Sequence, residues 1–350
     1  MNWKRFLCIA YFSTLAGCSG SCSNWLDSAV NRATQIPLST RTSQPAHSEI
    51  LKSPTPSTLS YQIKTYRSQV FGRDRTYGIA LPPGYDNHPH TRYPVVFLLH
   101  GGHGDPSTWF IKGKALEVIE NLYASGKLPP SIIVTPDGND LRESSALWDP
   151  EYVNGQYGNV LSAIGDELVE EIKAHYQTLP DPRFWAIGGL SSGGWGALNI
   201  GLHYPQNFKL LFSHSGYFSD KSGRENSPIE FVKTLDSQTR HSLAIYLDAG
   251  EGEGDRRYLA QSQDFHQVLT QVEVQNKFNH FPGGHGAKKQ EVKNFWQRNY
   301  QQLVNRLTGE TVKQPNVSWN FWHQHLADSL SYVGERFRAA EQHPSLSNQQ

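Results

Sequence analysis

The strongest indication of the fold comes from the stretch Gly189-Leu190-Ser191-Ser192-Gly193-Gly194. It follows an apolar run at residues 184–187 and precedes a helical pattern, an order that predicts a strand, a tight turn and a helix. Glycines two residues before and two after Ser191 would let the backbone turn sharply and lift the hydroxyl above a sheet. Ser192 is the poorer candidate nucleophile, because leucine occupies the position two before it. The stretch therefore predicts that Ser191 is a nucleophile.

Apolar runs typical of buried strands alternate with helical patterns on both sides of this turn. Two alternating runs, at residues 61–68 and 75–81, come first and are typical of antiparallel strands. The clearest helical pattern covers residues 160–176. The buried-strand runs lie at residues 95–99, 132–134, 184–187, 210–212 and 244–247. This order predicts an α/β fold with a mainly parallel sheet, helices on both faces and antiparallel opening strands.

A second glycine-rich motif, His100-Gly101-Gly102-His103-Gly104, directly follows the predicted strand at residues 95–99. Acyl transfer develops negative charge on a carbonyl oxygen, and two fixed backbone N–H groups can stabilise that charge. We expect the amides of Gly102 and Ser192 to be these donors, with the amide of His103 as the alternative to Gly102. Metal binding by the two histidines is disfavoured, because no third ligand stands at a recognisable spacing.

A histidine base should follow the nucleophile in the chain, since this kind of fold places serine, acid and histidine in that order. His285 is the best of the later histidines, because Pro282-Gly283-Gly284-His285-Gly286 places it on a glycine-rich loop before a predicted helix at residues 288–307. The other histidines considered after Ser191 lie within or beside predicted strands and helices: His214, His241, His266 and His280.

The acid that orients the histidine has two candidates in the sequence. Asp248 ends the predicted strand at residues 244–247, and Asp255 follows seven residues later in a loop with three glycines. We favour Asp255, because a loop residue beyond the strand can reach beneath a histidine, and we keep Asp248 as the alternative.

The amino terminus has the layout of an export signal. A basic start and an apolar run of about ten residues, half the length needed to span a bilayer, precede Leu15-Ala16-Gly17-Cys18. We expect a signal peptide with a lipobox at residues 1–17, lipidation of Cys18, and a flexible tether at residues 18–60 that is rich in Ser, Thr, Pro, Asn and Gln. The expected location is the cell envelope, with the protein lipid-anchored on the periplasmic or extracellular side.

The composition argues against two classes of protein, those that bind nucleic acid and those held together by disulfides. The 350 residues carry 32 Lys plus Arg against 32 Asp plus Glu, so no basic field is available to attract nucleic acid. Three cysteines are too few for a disulfide framework. We expect a catalytic domain at residues 61–308 and a helical tail at residues 309–350 that carries Trp319, Phe321 and Trp322. The spacing of Leu326, Leu330, Val333 and Phe337 predicts an amphipathic helix in this tail, packed on its own domain, and we assign the tail no chemistry.

The chain resembles the esterase D-like esterases of the α/β-hydrolase superfamily, a family that includes feruloyl, acetyl xylan and enterochelin esterases, S-formylglutathione hydrolases and mycolyltransferases. The resemblance covers residues 61–307. Its motifs are Leu81-Pro82-Pro83-Gly84-Tyr85, residues 93–101, Pro136-Asp137-Gly138, the Ser191 stretch and Pro282-Gly283-Gly284-His285. The family usually has methionine where Ser192 stands, and its loop before the acid is shorter than residues 250–255.

This resemblance implies an α/β-hydrolase fold and a carboxylic-ester hydrolase with Ser191 as nucleophile, His285 as base and Asp255 as acid. The reaction would pass through an acyl-enzyme, with an ester as substrate, and would need no cofactor or metal. Two alternatives stay open at this point: an acyltransferase that passes the acyl group to a sugar or lipid alcohol, and a catalytically silent binding protein of the envelope.

Overall fold

The protein is described by a computed structural model that defines residues 59–143, 152–285 and 317–343. All of these residues belong to one compact unit, Pro54–Gln350. The predicted signal peptide, Cys18 and nearly all of the tether lie outside the described residues, as does the helix expected at residues 288–307. No helix within the described ranges combines the length and the apolar character that crossing a membrane requires.

A mixed eight-stranded sheet forms the centre of the fold, in the order β1-β2-β4-β3-β7-β8-β9-β10. Strands β1, β2 and β4 pair antiparallel, and the strands from β4 to β10 pair parallel. The eight strands are β1 (Tyr61–Ser68), β2 (Arg73–Ala80), β3 (Val95–Leu99), β4 (Ile132–Pro136), β7 (Trp185–Leu190), β8 (Leu210–His214), β9 (Ala244–Gly250) and β10 (Gln275–Phe281). A separate two-residue hairpin consists of β5 (Asn154–Gly155) and β6 (Gly158–Asn159). The predicted mainly parallel sheet with antiparallel opening strands is therefore confirmed.

Burial explains why the central strands read as continuous apolar runs. Every residue of β3 is fully buried, and β4, β7, β8 and β9 are buried along their whole lengths. A strand covered on both faces has no polar side to alternate with. The parallel strands also end at one edge of the sheet, so the loops after β3, β7, β9 and β10 meet there.

Helices cover the sheet on its two faces. Helix α5 packs against β7 and β8, and α2 packs with α9. The helices are α1 (Thr108–Ile111), α2 (Ala115–Ala124), α3 (Val160–Ser162), α4 (Leu168–His175), α5 (Ser192–His203), α6 (Pro228–Phe231), α7 (Ser237–Ser242), α8 (Arg256–Gln271) and α9 (Val317–Gln342). Short 3₁₀ turns lie at Tyr85–Asn87, Pro182–Phe184 and Val232–Thr234.

The helix predicted at residues 160–176 is interrupted by a π turn. Residues Ala163–Glu167 widen the helix between α3 and α4. At Gly165, where a side chain would overlap the ring of Tyr204, the helix lies close against the residues after α5. The apolar residues on either side of the π turn still recur every three or four positions, the spacing typical of a helix, so the sequence pattern gave no sign of the interruption.

Helix α9 is an integral part of the core. It packs on α2, β8 and β9, and its apolar stripe of Leu326, Leu330, Val333 and Phe337 is at most 1% exposed. At Gly334 a side chain would overlap the Lys127 carbonyl, so α9 and the end of α2 are in close contact. The tail therefore contributes to the same hydrophobic core as the sheet.

Candidate active site

Ser191 lies in the tight turn between β7 and α5, with backbone angles φ 55° and ψ −121°. A non-glycine residue rarely adopts such angles, and the cost is tolerated where the surrounding structure enforces the turn. A Cβ at Gly189 would lie 2.6 Å from the Leu99 carbonyl oxygen, and one at Gly193 would lie 2.5 Å from the same oxygen. The two glycines flanking the serine are therefore required by the close approach of β3.

The glycine-rich loop after β3 lies against Ser191. A Cβ at Gly101 would come within 3.3 Å of the Ser191 Cβ, whereas Gly102 and His103 are exposed. His103 has φ 57°, a left-handed conformation that turns the chain sharply after Gly102. The predicted oxyanion residues Gly102, Ser192 and His103 thus lie in the two backbone segments that border the serine.

His100 fixes this loop from below. Its ring is buried, with Nδ1 2.9 Å from the Gly101 carbonyl oxygen and Nε2 3.0 Å from the Gly138 backbone nitrogen. These partners require a neutral ring that donates from Nδ1 and accepts at Nε2. Burial lowers the pKa of His100, although the hydrogen bond to Gly101 opposes this shift. His100 is therefore a structural support for the loop.

Tyr152 supports the same loop and does not line an open pocket. Its side chain is fully buried, and its hydroxyl donates to the His100 carbonyl oxygen at 2.6 Å. The neighbouring residues 144–151 lie outside the described residues. No signal in the sequence distinguished Tyr152 as a support for the loop after β3.

Asp255 and His285 form a close pair at the carboxyl edge of the sheet. The Asp255 Oδ1 accepts from the His285 Nδ1 at 2.5 Å and from the His285 backbone N–H at 2.7 Å. Its Oδ2 accepts from the Ser215 hydroxyl at 2.5 Å and from the Gly250 N–H at 2.8 Å. All four bonds favour an ionised carboxylate that orients the histidine ring.

The electrostatics of this pair agree with its geometry. Burial alone would raise the pKa of Asp255, but the hydrogen bonds and charge of His285, together with the Ser215 hydroxyl, lower it below the ordinary aspartate value. Asp255 is fully buried, whereas the His285 side chain is 19% exposed. The acid is therefore shielded while the histidine ring keeps access to the surface.

The glycines of the His285 loop allow this pairing. Gly283 and Gly284 have φ angles of 108° and 113°, which side chains rarely adopt, and a Cβ at Gly284 would overlap the Asp255 carboxylate. The Gly283 carbonyl also accepts from the Gly252 N–H at 2.8 Å. The long glycine loop before Asp255 thus interlocks with the His285 loop.

Asp248, the alternative acid, is committed to a different histidine. Its Oδ2 lies 2.8 Å from the His214 Nδ1, and the His214 Nε2 lies 3.0 Å from the Ser329 hydroxyl on α9. All three side chains are fully buried. The pair lies in the core between the sheet and α9, so Asp248 does not reach His285.

Sequence reasoning missed Ser215, Tyr258 and the role of the tail. Ser215 has φ 47° and binds Asp255, while Tyr258 and Trp322 both contact the His285 ring. Of these three features, the sequence gave a signal only for the tail, through its aromatic residues.

The hydrogen bonds among the described residues do not include one between Ser191 and His285. Hydrogen bonds of this kind in active sites often tighten only when substrate binds.

Two further observations concern metal ligands and open space in the described part of the chain. The described residues contain no group of three or more His, Cys, Asp or Glu side chains arranged to hold a metal ion. A cleft of about 400 Å³, lined by residues that include Lys64, Tyr85 and Tyr176, lies where Ala80 of β2 pairs with Ile133 at the start of β4. That is the opposite end of the sheet from Ser191, so this cleft is separate from the candidate site.

Known proteins resemble the chain in sequence and in structure. An endo-1,4-beta-xylanase/feruloyl esterase of Xylanibacter ruminicola is 32% identical over 171 residues, which cover 47% of this chain and 22% of that protein. An iron(III) enterobactin esterase of Dickeya dadantii is 26% identical over 220 residues, covering 58% of this chain and 46% of that protein. The chain spans less than half the length of these curated relatives.

The structure of a ferulic acid esterase superposes with a TM-score of 0.64 at 25% identity, covering 80% of this chain and 99% of that one. A family model described as "Putative esterase" matches residues 68–305, which include Ser191, Asp255 and His285. The chain belongs to this esterase family and has the α/β-hydrolase fold.

Proposed function

We propose that the protein is a serine carboxylic-ester hydrolase in which Ser191, His285 and Asp255 act as nucleophile, base and acid. The observation that carries the proposal is the pairing of Asp255 with His285 at the same sheet edge as the strained turn of Ser191. The proposal also draws on the family match and on the esterases among the relatives.

The proposed reaction has two stages. His285 Nε2 removes the proton from the Ser191 hydroxyl as the serine oxygen attacks the ester carbonyl carbon, and then protonates the leaving alcohol. Water, activated by the same histidine, attacks the acyl-enzyme and releases the acid. Asp255 holds the proton on Nδ1, so that Nε2 is free to accept, and stabilises the imidazolium that forms.

The oxyanion would form between the two backbone segments that border Ser191. We assign the donors to the amides of Ser192 and Gly102, with the amide of His103 as the alternative to Gly102. The Ser192 amide lies at the first residue of α5, where backbone N–H groups lack helical partners and favour negative charge. His100 and Tyr152 hold the other segment in place.

For the substrate we propose esters of hydroxycinnamic acids linked to carbohydrate. Two matched proteins carry feruloyl or ferulic acid esterase in their names. Near the carboxyl edge of the sheet, Ile111, Leu141 and Tyr157 are exposed by 61%, 50% and 39%. Exposed apolar side chains of this size suit an aromatic acyl group.

Hydrolysis of methyl ferulate, feruloylated arabinoxylan fragments and 4-nitrophenyl acetate tests this proposal. We expect release of ferulate by the wild type, loss of activity in Ser191→Ala, and normal activity in Ser131→Ala, a buried serine beside the start of β4. Acetate release without ferulate release would overturn the substrate class alone. No turnover of any ester would overturn the hydrolase proposal.

We also propose that the protein is exported and anchored by lipid on Cys18. The support is the sequence pattern of residues 1–18. Metabolic labelling with a fatty acid in a bacterial host should label the wild type but not Cys18→Ser. Equal labelling of the two proteins, or labelling of neither, would contradict the anchor.

A further inference from the structure

The amino-terminal turns of α9 carry an aromatic cluster that lies beside the candidate base. Trp319, Phe321 and Trp322 precede the buried stripe of this helix. The helix begins after residue 305, where the family match ends. The family resemblance therefore assigns these side chains no role.

Two aromatic rings contact the imidazole of His285. The Tyr258 ring, from α8, is stacked on it with centroids 4.6 Å apart and planes 25° apart. The Trp322 ring, from α9, lies 4.8 Å away at 76°. Trp322 is only 5% exposed, so its position is fixed by the surrounding core.

A chain of edge-to-face contacts continues from Trp322 to the other half of the site. Trp322 and Trp319 lie 5.5 Å apart at 75°, and Trp319 lies 5.9 Å from Trp109 at 86°. Trp109 is fully buried on α1, and its Nε1 donates to the Leu99 carbonyl at 2.9 Å, directly before the oxyanion loop. Edge-to-face aromatic pairs of this kind are favourable beyond the area that they bury, so they help to hold the rings in place.

We propose that Trp322, supported by Trp319, is a positioning residue that holds the His285 ring in its catalytic orientation. This inference rests on the proposed function of Ser191 and His285. Asp255 fixes one ring nitrogen and Tyr258 is stacked on the ring, which leaves the imidazole free to tilt away from Tyr258 about that hydrogen bond. The nearly perpendicular Trp322 ring restricts that tilt, and nearby aromatic rings favour the imidazolium formed during the reaction.

The tail is accordingly part of the active site. Displacing a catalytic group by 1 Å can cost about a hundredfold in rate, so a side chain that only limits ring motion can have a large effect on kcat. Trp322 need not contact the substrate to act in this way. Its loss should therefore lower kcat with little effect on KM.

The test compares Trp322→Leu with Trp322→Phe and with Phe337→Leu, the matched control. Phe337 is a fully buried aromatic residue on the same helix, packed 6.0 Å from Phe184, and does not contact His285. We expect Trp322→Leu to lower kcat for 4-nitrophenyl acetate about tenfold to a hundredfold, with KM changed less than about threefold. Trp322→Phe should recover most of the rate, and Phe337→Leu should keep the wild-type kcat per folded molecule.

Circular dichroism shows whether each variant folds. If Trp322→Leu does not fold, Trp319→Leu replaces it in the test. For Trp319→Leu we expect kcat to fall at least about threefold. Equal kcat values in the Trp322→Leu and Phe337→Leu proteins would overturn the proposal. So would a raised KM at unchanged kcat, which would make Trp322 a substrate contact. An inactive wild type would overturn the proposed function as well, whereas a Trp322→Leu protein with the wild-type kcat would overturn only the positioning role.

Discussion

Asp255 Oδ1 accepts two hydrogen bonds from His285, one from the ring Nδ1 and one from the backbone N–H. This double contact fixes both the ring and the loop that carries it. Asp248, seven residues earlier, makes its short contact with His214 in the core. The two aspartates thus have separate tasks, one at the candidate active site and one in the packing beneath it.

Asp255→Asn should lower kcat about a thousandfold to ten-thousandfold. Both carboxylate oxygens accept from backbone N–H groups, those of His285 and Gly250, so an amide cannot satisfy both sides. If its nitrogen turns toward the His285 ring, it forces the tautomer in which Nδ1 accepts and Nε2 carries the proton. Steady-state kinetics on 4-nitrophenyl acetate measure the effect, and a loss below about tenfold would contradict the assigned acid.

Asp248→Asn is the matched comparison, with the opposite expectation. It weakens a buried charge-assisted contact to His214, so it should lower the free energy of unfolding by about 1.5–3 kcal/mol. The kcat of the folded protein should stay within about threefold of wild type, since Asp248 does not contact His285. Urea unfolding and kinetics separate the two effects. A large loss of kcat at unchanged stability would restore Asp248 as the acid.

The sequence favoured Asp255 over Asp248 as the acid that orients the histidine, but it could not exclude Asp248. Both follow the apolar run of β9. Only the fold reveals that Asp248 is still within the strand, facing α9, while Asp255 lies directly before α8. His214 gave no signal of its own, because a histidine ending a buried strand suits a core pair as well as a catalytic site. The separation depends on contacts between distant segments, which periodicity does not encode.

His100 predicts how stability depends on pH. Burial lowers its pKa, so below about pH 6.5 the unfolded chain binds a proton that the native ring does not. The neutral His100 ring therefore contributes stability that is fully present above the pKa of the histidine in the unfolded chain. This stability is lost as the pH falls toward the lower pKa of His100 in the folded protein. The free energy of unfolding should therefore fall with decreasing pH, at up to about 1.4 kcal/mol per pH unit from this one group.

His100→Gln removes that titration while keeping one donor and one acceptor. Urea unfolding from pH 7 to pH 5 should show a shallower pH dependence in the variant than in the wild type. The pKa of His203 is also lowered by burial, but His203 is present in both proteins, so its contribution cancels in the comparison. Identical slopes would show that His100 takes up a proton in the folded state.

Leu330→Ala tests whether α9 belongs to the core. Leu330 is fully buried in the stripe that faces the sheet, so we expect the free energy of unfolding to fall by about 2–5 kcal/mol. The exposed Glu341→Ala, at the end of the same helix, should change it by less than about 0.5 kcal/mol. Equal, small effects of the two changes in urea unfolding would contradict the packing of this helix.

The apolar spacing of Leu326, Leu330, Val333 and Phe337 was enough to predict this helix and its buried stripe. It could not indicate that the residues before the stripe would reach His285, because that contact joins the His285 loop to α9, two segments that are separated in the chain. The turn of Ser191 could be predicted because its residues are adjacent in the chain. The residues that support the loop after β3, such as Tyr152, could not, because they come from a distant segment.

Intact-mass analysis after treatment with a fluorophosphonate tests the claim that Ser191 is an activated nucleophile. We expect one phosphonyl adduct on the wild type and none on Ser191→Ala. Labelling of Asp255→Asn should be much slower than that of the wild type. An unmodified wild type, or an adduct that persists in Ser191→Ala, would contradict the claim.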